Sequence, residues 1–400
     1  MKATGGAGSG GTSGTASGKG GGAGTRMVDP GPPVPPAHTV GSWVEISPPD
    51  TVTDPGGLHS AIGVGSSPQA PATIYVDAYP TWPPSGDKAG IYKSTDRGDT
   101  WTGPLGKSFF NNDGSAYTEG NPWQQGVSWN IAVDPTDADT VYSMCSFFGP
   151  QGLWKTTDGG DTWSAIMSRD DTDKMSADIY AITIDPNNHE HVLVTFHSGW
   201  NFGPDAGVAE TVNGGMSWIQ HPPQSGWLAG HYAFFLGQDD AGKPSSDAWM
   251  LATQGDGYWR TLDAGKTWTQ VSSKYQMQHG ACALYRASTG VLYMGALNNL
   301  LRSTDNGKTW DTAGAPSNQD GYNSVIGDGV RMYVQSANTG TSSVGPGSFY
   351  TSLETDGLNW EVQNDQTFED GPGWMTADRT QKVVYAALWD HGLWRLYTGN

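Results

Sequence analysis

The sequence predicts an all-β fold, a seven-bladed β-propeller in which the first strand completes the last blade. Three observations predict this fold. The chain is rich in Gly, with 57 in 400 residues, and only 15% of its residues are charged. An eight-residue motif ending in Trp recurs along it, and its two ends carry strands that complement each other. Many short strands joined by Gly-containing turns produce this composition, whereas helical proteins contain more Leu, Lys and Glu.

The repeated motif has the form Ser/Thr-x-Asp-x-Gly-x-Thr-Trp, and it recurs at blade-sized intervals of about 40–60 residues. Five copies are clear, and a sixth is degenerate because Thr355 occupies its Asp position. The copies end at Trp101, Trp163, Trp218, Trp268, Trp310 and Trp360. Repetition at this period indicates one copy in each of several similar blades.

The residue types of the motif predict a tight turn before the outer strand of a blade. A carboxylate or amide at the Asp position accepts hydrogen bonds from the backbone of its own turn. Gly adopts the positive φ that such a turn requires. The Trp begins the outer strand and packs between blades. We therefore expect the motif carboxylates to be structural. They are Asp96, Asp158, Asp263 and Asp305.

The chain ends indicate how the ring closes. Residues 41–46, which include Trp43, read like a strand that follows a motif. Residues 392–396 match the strand that precedes a motif, as at 152–155, but no motif follows them. The N-terminal strand is therefore predicted to complete the last blade. Trp43 and the six motif Trp together give seven blades, and this closure removes free strand edges.

Residues 1–39 are rich in Gly, Ser, Thr and Pro and contain little to bury. We expect this segment to be a disordered tether and residues 40–400 to form the propeller. Such tethers often join an exported anchor to its domain, so we expect a secreted or cell-surface protein. The alternative is the disordered tail of a cytosolic protein.

The net charge of −19 makes nucleic acids and anionic membranes poor partners. No apolar run is long enough for a transmembrane helix. We expect a monomer that needs no cofactor.

Aromatic residues outside the repeat positions concentrate at one end of the predicted ring, in connections or at the starts of inner strands. Rings gathered at one face are suited to stacking against sugars; the alternative is that some of them fill the central channel. The candidate aromatic residues for substrate binding are Trp82, Trp123, Trp129, Trp200, Trp227, Tyr232, Trp374 and Trp389.

Polar side chains are predicted at the same end of the ring. A single His is more often a buried, hydrogen-bonded core residue than a ligand or base, but five at one end favour a site. They are His59, His197, His231, His279 and His391, and Asn130 accompanies them. No spacing among them matches a known metal-binding motif, so the sequence assigns no metal ligands and leaves metal binding open.

The motifs resemble the Asp-box turns of bacterial neuraminidase-repeat proteins. That group includes sialidases, xyloglucanase-type glycoside hydrolases, sortilin-type receptors and photosystem assembly factors. The resemblance covers residues 41–400 and implies a fold, while activity must be argued from the site. Binding of a sialic acid carboxylate calls for convergent Arg, and here Arg97, Arg260, Arg302 and Arg395 occupy repeat positions, which disfavours a sialidase.

The resemblance to xyloglucanase-type enzymes also implies catalytic residues. The segment from Asp178 through IleTyrAlaIleThrIleAspProAsnAsn resembles the strand that carries one of their catalytic Asp residues. Asp77, at the end of another strand, lies near where their second Asp would fall, although at a different offset. Those enzymes pair two propellers around a cleft, and this chain has one.

Three functions remain open from the sequence. A glycoside hydrolase on a polysaccharide, with Asp178 and Asp77, is the first. A polysaccharide lyase is the second, with His231 or His279 as base and Tyr232 or Tyr322 as acid. A non-catalytic glycan-binding or scaffold propeller is the third. The connections differ strongly in length between blades, which favours one asymmetric site and hence an enzyme.

Overall fold

The computed structural model confirms the seven-bladed β-propeller. It describes residues 28–32, 39–52, 60–81, 83–147, 151–168, 178–277, 283–316, 321–336, 347–369 and 371–399. Within these ranges the chain forms seven sheets, antiparallel apart from one parallel strand pair in blade 2, and the innermost strands of most neighbouring sheets contact one another around a central axis. Helical structure in the described part is limited to short 3-10 segments such as Pro49–Thr51 and Pro122–Gln124.

The first four blades contain the following strands, in order from the innermost strand outward. Blade 1 contains β2 (Ser60–Ser67), β3 (Ala70–Tyr79) and β4 (Gly90–Ser94). Blade 2 contains β6 (Ile131–Asp134), β7 (Asp137–Cys145), β8 (Gly152–Thr156), β9 (Thr162–Ser168) and β5 (Ser108–Phe110). Blade 3 contains β10 (Ile179–Asp185), β11 (Asn188–Phe196), β12 (Val208–Thr211) and β13 (Ile219–His221). Blade 4 contains β14 (Tyr232–Phe235), β15 (Trp249–Ala252), β16 (Tyr258–Thr261) and β17 (Thr269–Ser272).

The remaining blades follow the same order. Blade 5 contains β18 (Leu284–Arg286), β19 (Leu292–Ala296), β20 (Asn299–Ser303) and β21 (Asp311–Thr312). Blade 6 contains β22 (Tyr322–Gly327), β23 (Arg331–Ser336), β24 (Gly347–Leu353) and β25 (Glu361–Phe368). Blade 7 contains β26 (Pro372–Asp378), β27 (Val383–Leu388), β28 (Gly392–Tyr397) and β1 (Trp43–Glu45).

The N-terminal strand closes the ring as predicted. β1 pairs antiparallel with β28, and Trp43 lies opposite Leu396. The Trp43 side chain is buried, and its ring centroid lies 4.2 Å from that of Phe349 in blade 6. The strand thus completes blade 7 and also packs against its neighbour, which ties the two ends of the sequence together.

Blades 1 and 2 depart from the expected four strands. After its motif, blade 1 continues as an isolated bridge between Lys93 and Thr102 and a hydrogen bond from Leu105 N to Ile91 O at 2.7 Å. Gly103 and Pro104 directly follow Thr102, and Pro cannot donate to a strand ladder, so no regular outer strand forms. In blade 2 the long connection that follows contributes β5, which pairs parallel to β9 as a fifth strand.

The repeated motifs form the predicted turns. In blade 1, Asp96 Oδ1 accepts hydrogen bonds from Thr100 N and Ser94 Oγ, each at 2.8 Å, and Gly98 has φ +90°. Burial raises the pKa of Asp96, but the hydrogen bonds from Thr100 and Ser94 outweigh it and the pKa is lowered. In blade 4 the same balance lowers the pKa of Asp263 to about 2. These carboxylates stay ionised to hold their turns.

Several motif Trp link one blade to the preceding one. The indole N–H of Trp101 donates to the carbonyl oxygen of Ile46, which follows β1, at 2.9 Å. Trp218 donates in the same way to Ile166 O of β9, and Trp360 donates to Ala313 O. Trp163 is fully buried and donates to Gly160 O within its own turn.

We call the end of the ring at which the innermost strands begin the front end, and the other, which carries the repeated turns, the back end.

Candidate active site

Five side chains from three blades meet at the front end because each lies just before the first strand or just after the second strand of its blade. Trp129 precedes β6 and Phe147 follows β7, both in blade 2. Asp178 precedes β10 and His197 follows β11 in blade 3, while Trp389 follows β27 in blade 7. The first strand of a blade starts where the second ends, so the up-and-down path of the chain brings these positions together.

The carboxylate of Asp178 is the polar centre of this group. Its Oδ2 accepts hydrogen bonds from Nδ1 of His197 at 3.0 Å and from Oγ of Ser198 at 2.8 Å. The strand register explains the meeting. Ile179 of β10 lies opposite Phe196 of β11, so the residues just outside that pair face each other. Asp178 is 7% exposed, whereas His197 is partly exposed and Ser198 is exposed.

Aromatic rings surround His197 and form what we call the aromatic patch, made of Trp129, Phe147, His197 and Trp389. Trp129 stacks on Trp389, with ring centroids 5.2 Å apart, and on His197 at 6.1 Å. Phe147 packs edge-on against Trp129 at 5.6 Å and lies 5.3 Å from His197. Such offset and edge-to-face arrangements are favourable for aromatic pairs.

Phe147 presents the most accessible ring of the patch. It is 42% exposed and has φ +73°, in the left-handed region. That conformation is rare for a bulky residue, and non-Gly outliers of this kind cluster at functional sites. Trp389 is half-buried, and Trp129 is buried beneath the two. The surface that a ligand can reach is therefore Phe147 with the edges of Trp389 and His197.

Two other candidate aromatic residues, Tyr232 and Trp374, fill the central channel together with Tyr180. Tyr180 lies beside His197, and its ring centroid is 4.9 Å from that of Tyr232 in blade 4. Tyr232 in turn lies 5.9 Å from Trp374 in blade 7, on the other side of the axis. Both Tyr are fully buried. For Tyr232 and Trp374 the geometry therefore favours channel filling over sugar stacking.

Four more of the candidate binding residues are buried within or between blades. Trp123 donates its indole N–H to Met144 O at 2.8 Å, and Trp227 packs against Trp268 with centroids 5.1 Å apart. Trp200 is buried against Phe196, with ring centroids 5.3 Å apart. The fourth, Asn130, accepts a hydrogen bond from Ile182 N of the next blade at 3.0 Å. These contacts account for the four side chains structurally.

The structure buries three of the predicted catalytic residues. Asp77 is inaccessible, and its Oδ2 accepts a hydrogen bond from Ser128 N at 2.5 Å. Burial raises the pKa of Asp77 well above its usual value. His231 is inaccessible, with its ring nitrogens 3.1 Å from Leu228 O and Gly207 O, and burial lowers its pKa.

Tyr322 is the third of these buried residues, and its hydroxyl donates to Pro316 O at 2.5 Å. Burial raises the pKa of Tyr322. His391 is partly exposed, with Nε2 3.7 Å from a carboxylate oxygen of Glu369. The predicted His59, Trp82 and His279 lie outside the described residues. Asp178, Trp129 and Trp389 are thus the predicted site residues that meet in one group.

The sequence patterns alone do not assign two residues of the site. Ser198 belongs to no motif, and His197 is predicted at this end of the ring but not beside Asp178. The signal that could have found them is the hairpin register, because the two residues that flank the first paired positions of β10 and β11 must face each other.

Among the described residues no three His, Cys, Asp or Glu converge as a metal site. No helix of that part of the chain is long and apolar enough to span a membrane.

No family model matches the chain, but two curated proteins are similar to it in sequence. It is 29% identical over 316 residues to a xyloglucanase of Hypocrea jecorina (strain QM6a), covering 67% of this chain and 34% of that protein. It is 27% identical over 287 residues to a xyloglucanase of a Paenibacillus species, covering 62% of this chain and 26% of that protein. The chain is similar to xyloglucanases.

The similarity extends to a solved structure. The GH74 enzyme of Niastella koreensis superposes with a TM-score of 0.59 at 15% identity, covering 88% of this chain and 53% of that one. At this identity the superposition shows a shared fold. The chain spans about a third or less of the length of the two curated relatives.

Proposed function

We propose that the protein is a glycoside hydrolase that binds a polysaccharide across the aromatic patch and acts on it with Asp178. One observation carries this proposal. At the front end of the propeller, the Asp178 carboxylate, which is hydrogen-bonded to His197 and Ser198, lies in the same group of side chains as the accessible aromatic ring of Phe147. Sequence similarity to xyloglucanases over two thirds of the chain supports the same class of substrate.

The chemistry assigned to Asp178 is acid/base catalysis. Hydrolysis of a glycosidic bond generally needs two carboxyl groups, one that protonates the leaving oxygen and one that activates water or attacks the sugar. Hydrogen bonds from His197 and Ser198 fix the orientation of the Asp178 carboxylate. Which of the two roles Asp178 takes depends on how the sugar binds beside it. Asp390, which follows Trp389 and is half-buried, is the second carboxylate that we would test.

The neighbourhood of the patch favours a neutral polysaccharide. Three carboxyl groups lie at or beside it, those of Asp178, Glu369 and Asp390, and each of the first two lies near a His. An anionic uronate would be repelled by these carboxylates. The lyase alternative loses support for the same reason, and because His231 and Tyr322 are buried and hydrogen-bonded to backbone carbonyls.

A non-catalytic glycan-binding propeller is the second candidate. The observation that favours it is the burial of Asp77, because the carboxylate expected to share the reaction with Asp178 has no access to a substrate. Under this alternative the aromatic patch binds sugar and nothing is cleaved.

We also propose that residues 1–39 form a tether, of which residues 29–32 dock on blade 1, that residues 40–400 form the propeller, and that the protein acts as a monomer outside the cytosol. The Gly, Ser and Pro content of the first segment and the polymeric nature of the expected substrate support this location.

Screening the full chain on neutral and uronic polysaccharides, including xyloglucan, tests the proposed function. We expect release of reducing ends from a neutral polysaccharide. Products that absorb as unsaturated uronates would establish the lyase instead. Saturable binding with no product on any substrate would establish the glycan-binding alternative.

A further inference from the structure

A cavity of about 380 Å³ opens on the central axis at the back end, opposite the aromatic patch. The ends of the innermost strands form its wall, and most of the wall is apolar. Its apolar lining includes Ala132, Ile182, Ile184, Phe234, Leu284 and Trp374. An apolar surface of this kind is favoured when another group covers it.

The first described segment of the chain leads towards the rim of this cavity. The guanidinium of Arg97, in the repeated turn of blade 1, donates to the carbonyl oxygens of Pro30 and Pro32. Nearer the axis, Asp29 N donates to Gln69 O at 2.8 Å. Gln69 directly follows Pro68, which lines the cavity. Read backwards from Pro32 to Asp29, the chain therefore runs inward from an outer turn to the edge of the cavity.

The sequence before this segment offers few side chains that could cover an apolar surface. Residues 1–28 consist of Gly, Ala, Ser, Thr and a few charged side chains, apart from three large apolar residues. These three are Met1, Met27 and Val28. Val28 is 51% exposed. Met27 directly precedes Val28 in the sequence, and its flexible thioether side chain is well suited to filling an irregular apolar space.

We propose that the chain immediately before Val28 crosses the rim of the back-end cavity and that Met27 occupies it. The occupant is thus this chain's own N-terminal segment, held in place by Arg97 and Gln69. This interaction is independent of the proposed activity at the front end.

Methyl NMR of the full chain tests the placement. With ¹³C-labelled Met methyl groups, the Met27 signal is identified by its loss in Met27→Leu. We expect it to be shifted upfield from the free-chain position by the ring of Trp374, and to lose that shift in 6 M urea. A sharp signal at the free-chain position in the native protein would overturn the proposal.

A dye-binding experiment tests occupancy with a matched pair of variants. Met27→Asp adds a charge at the proposed occupant, and Val28→Asp adds the same charge to the exposed neighbour. We expect the apolar dye ANS to fluoresce more strongly with Met27→Asp than with wild type, and Val28→Asp to match wild type. If ANS binds the wild type as strongly as Met27→Asp, the cavity is open to a small ligand or a second molecule and the proposal is wrong.

Discussion

The imidazole of His197 donates from Nδ1 to the Asp178 carboxylate at 3.0 Å, and its ring stacks on Trp129 at 6.1 Å. One side chain thereby connects the candidate acid/base group to the surface proposed to bind sugar. The two contacts come from different blades, because Asp178 and His197 belong to blade 3 and Trp129 to blade 2. The site therefore depends on the packing of neighbouring blades as well as on each hairpin.

Removal of the accessible ring should weaken binding and leave the fold intact. Phe147→Ala removes an aromatic stack worth about 0.5–1.5 kcal/mol, so we expect the Kd for a polysaccharide ligand to rise by about 2- to 13-fold. Isothermal titration calorimetry measures the change. Met216→Ala, which truncates an exposed apolar side chain at the back end, is the control. Unchanged affinity for Phe147→Ala would exclude this ring from the binding surface.

A buried ionic network should make stability depend on pH. His191 lies between Asp185 Oδ2 at 3.2 Å and Glu210 Oε1 at 2.8 Å, and Glu210 also binds His221. Burial lowers the pKa of His191, but hydrogen bonds to Asp185 and Glu210 outweigh it and raise the pKa to about 9. Burial raises the pKa of Glu210, but hydrogen bonds from the two His lower it to about 2.

The pKa shift of His191 determines how the stability of the protein changes with pH. The contribution of His191 is complete below its unfolded pKa of about 6.5 and is lost as pH rises through 9. We expect His191→Asn to cost about 3–5 kcal/mol near pH 6, because it removes the positive charge held between two buried carboxylates, and to flatten the decline in stability between pH 6.5 and 9. Urea denaturation at several pH values measures both. His189→Asn is the more exposed control, and an equal loss there would contradict this account.

The motif Trp should contribute to stability according to burial. Trp163→Ala should lower the free energy of unfolding by about 3–5 kcal/mol, because the side chain is fully buried against Trp123, with centroids 4.7 Å apart. Trp218→Ala should cost less, since that ring is partly exposed. Urea denaturation compares the two. Equal or negligible losses would show that burial does not determine the contribution of these residues.

Closure of the ring should depend on a buried ion pair between blades 1 and 7. Arg97 Nε donates to Asp378 Oδ2 at 2.8 Å, and both side chains are inaccessible. Arg97→Met leaves a buried carboxylate and should cost about 3–5 kcal/mol. Arg331→Met, which breaks an exposed pair with Glu361, should cost about 0–1 kcal/mol. Similar losses for both variants would show that the Arg97 pair is not part of the closure.

The propeller could be predicted from the sequence because the residues that define each repeated turn are close together in the chain. Each Asp-x-Gly turn is determined by neighbours within five residues, and the match between residues 41–46 and 392–396 identified the closing strand. Blades 1 and 2 were harder, because the effect of Pro104 and the pairing of β5 depend on a long connection. Local patterns do not reveal which partner such a segment finds.

The site was less predictable because burial depends on the neighbouring blade. Trp123 and Trp129 follow the same pattern in the sequence, yet Trp123 is enclosed by Trp163 and Phe109 while Trp129 lies under the aromatic patch. Asp77 lies within β3 near its front end, and Asp178 directly precedes β10. Asp77 is buried and accepts a hydrogen bond from Ser128 N, in the connection that leads into blade 2. Asp178 instead accepts hydrogen bonds from His197 and Ser198, which are accessible at the surface.

The rate of polysaccharide cleavage by Asp178→Asn tests the central claim most directly. The amide keeps the shape of the carboxylate but removes its ionisable proton, and loss of a positioned acid or base typically costs about 100- to 10,000-fold. We predict a fall in kcat of that size with little change in binding, and no loss for Asp161→Asn, an exposed carboxylate paired with Lys107. Full activity of Asp178→Asn, measured as release of reducing ends, would contradict the account.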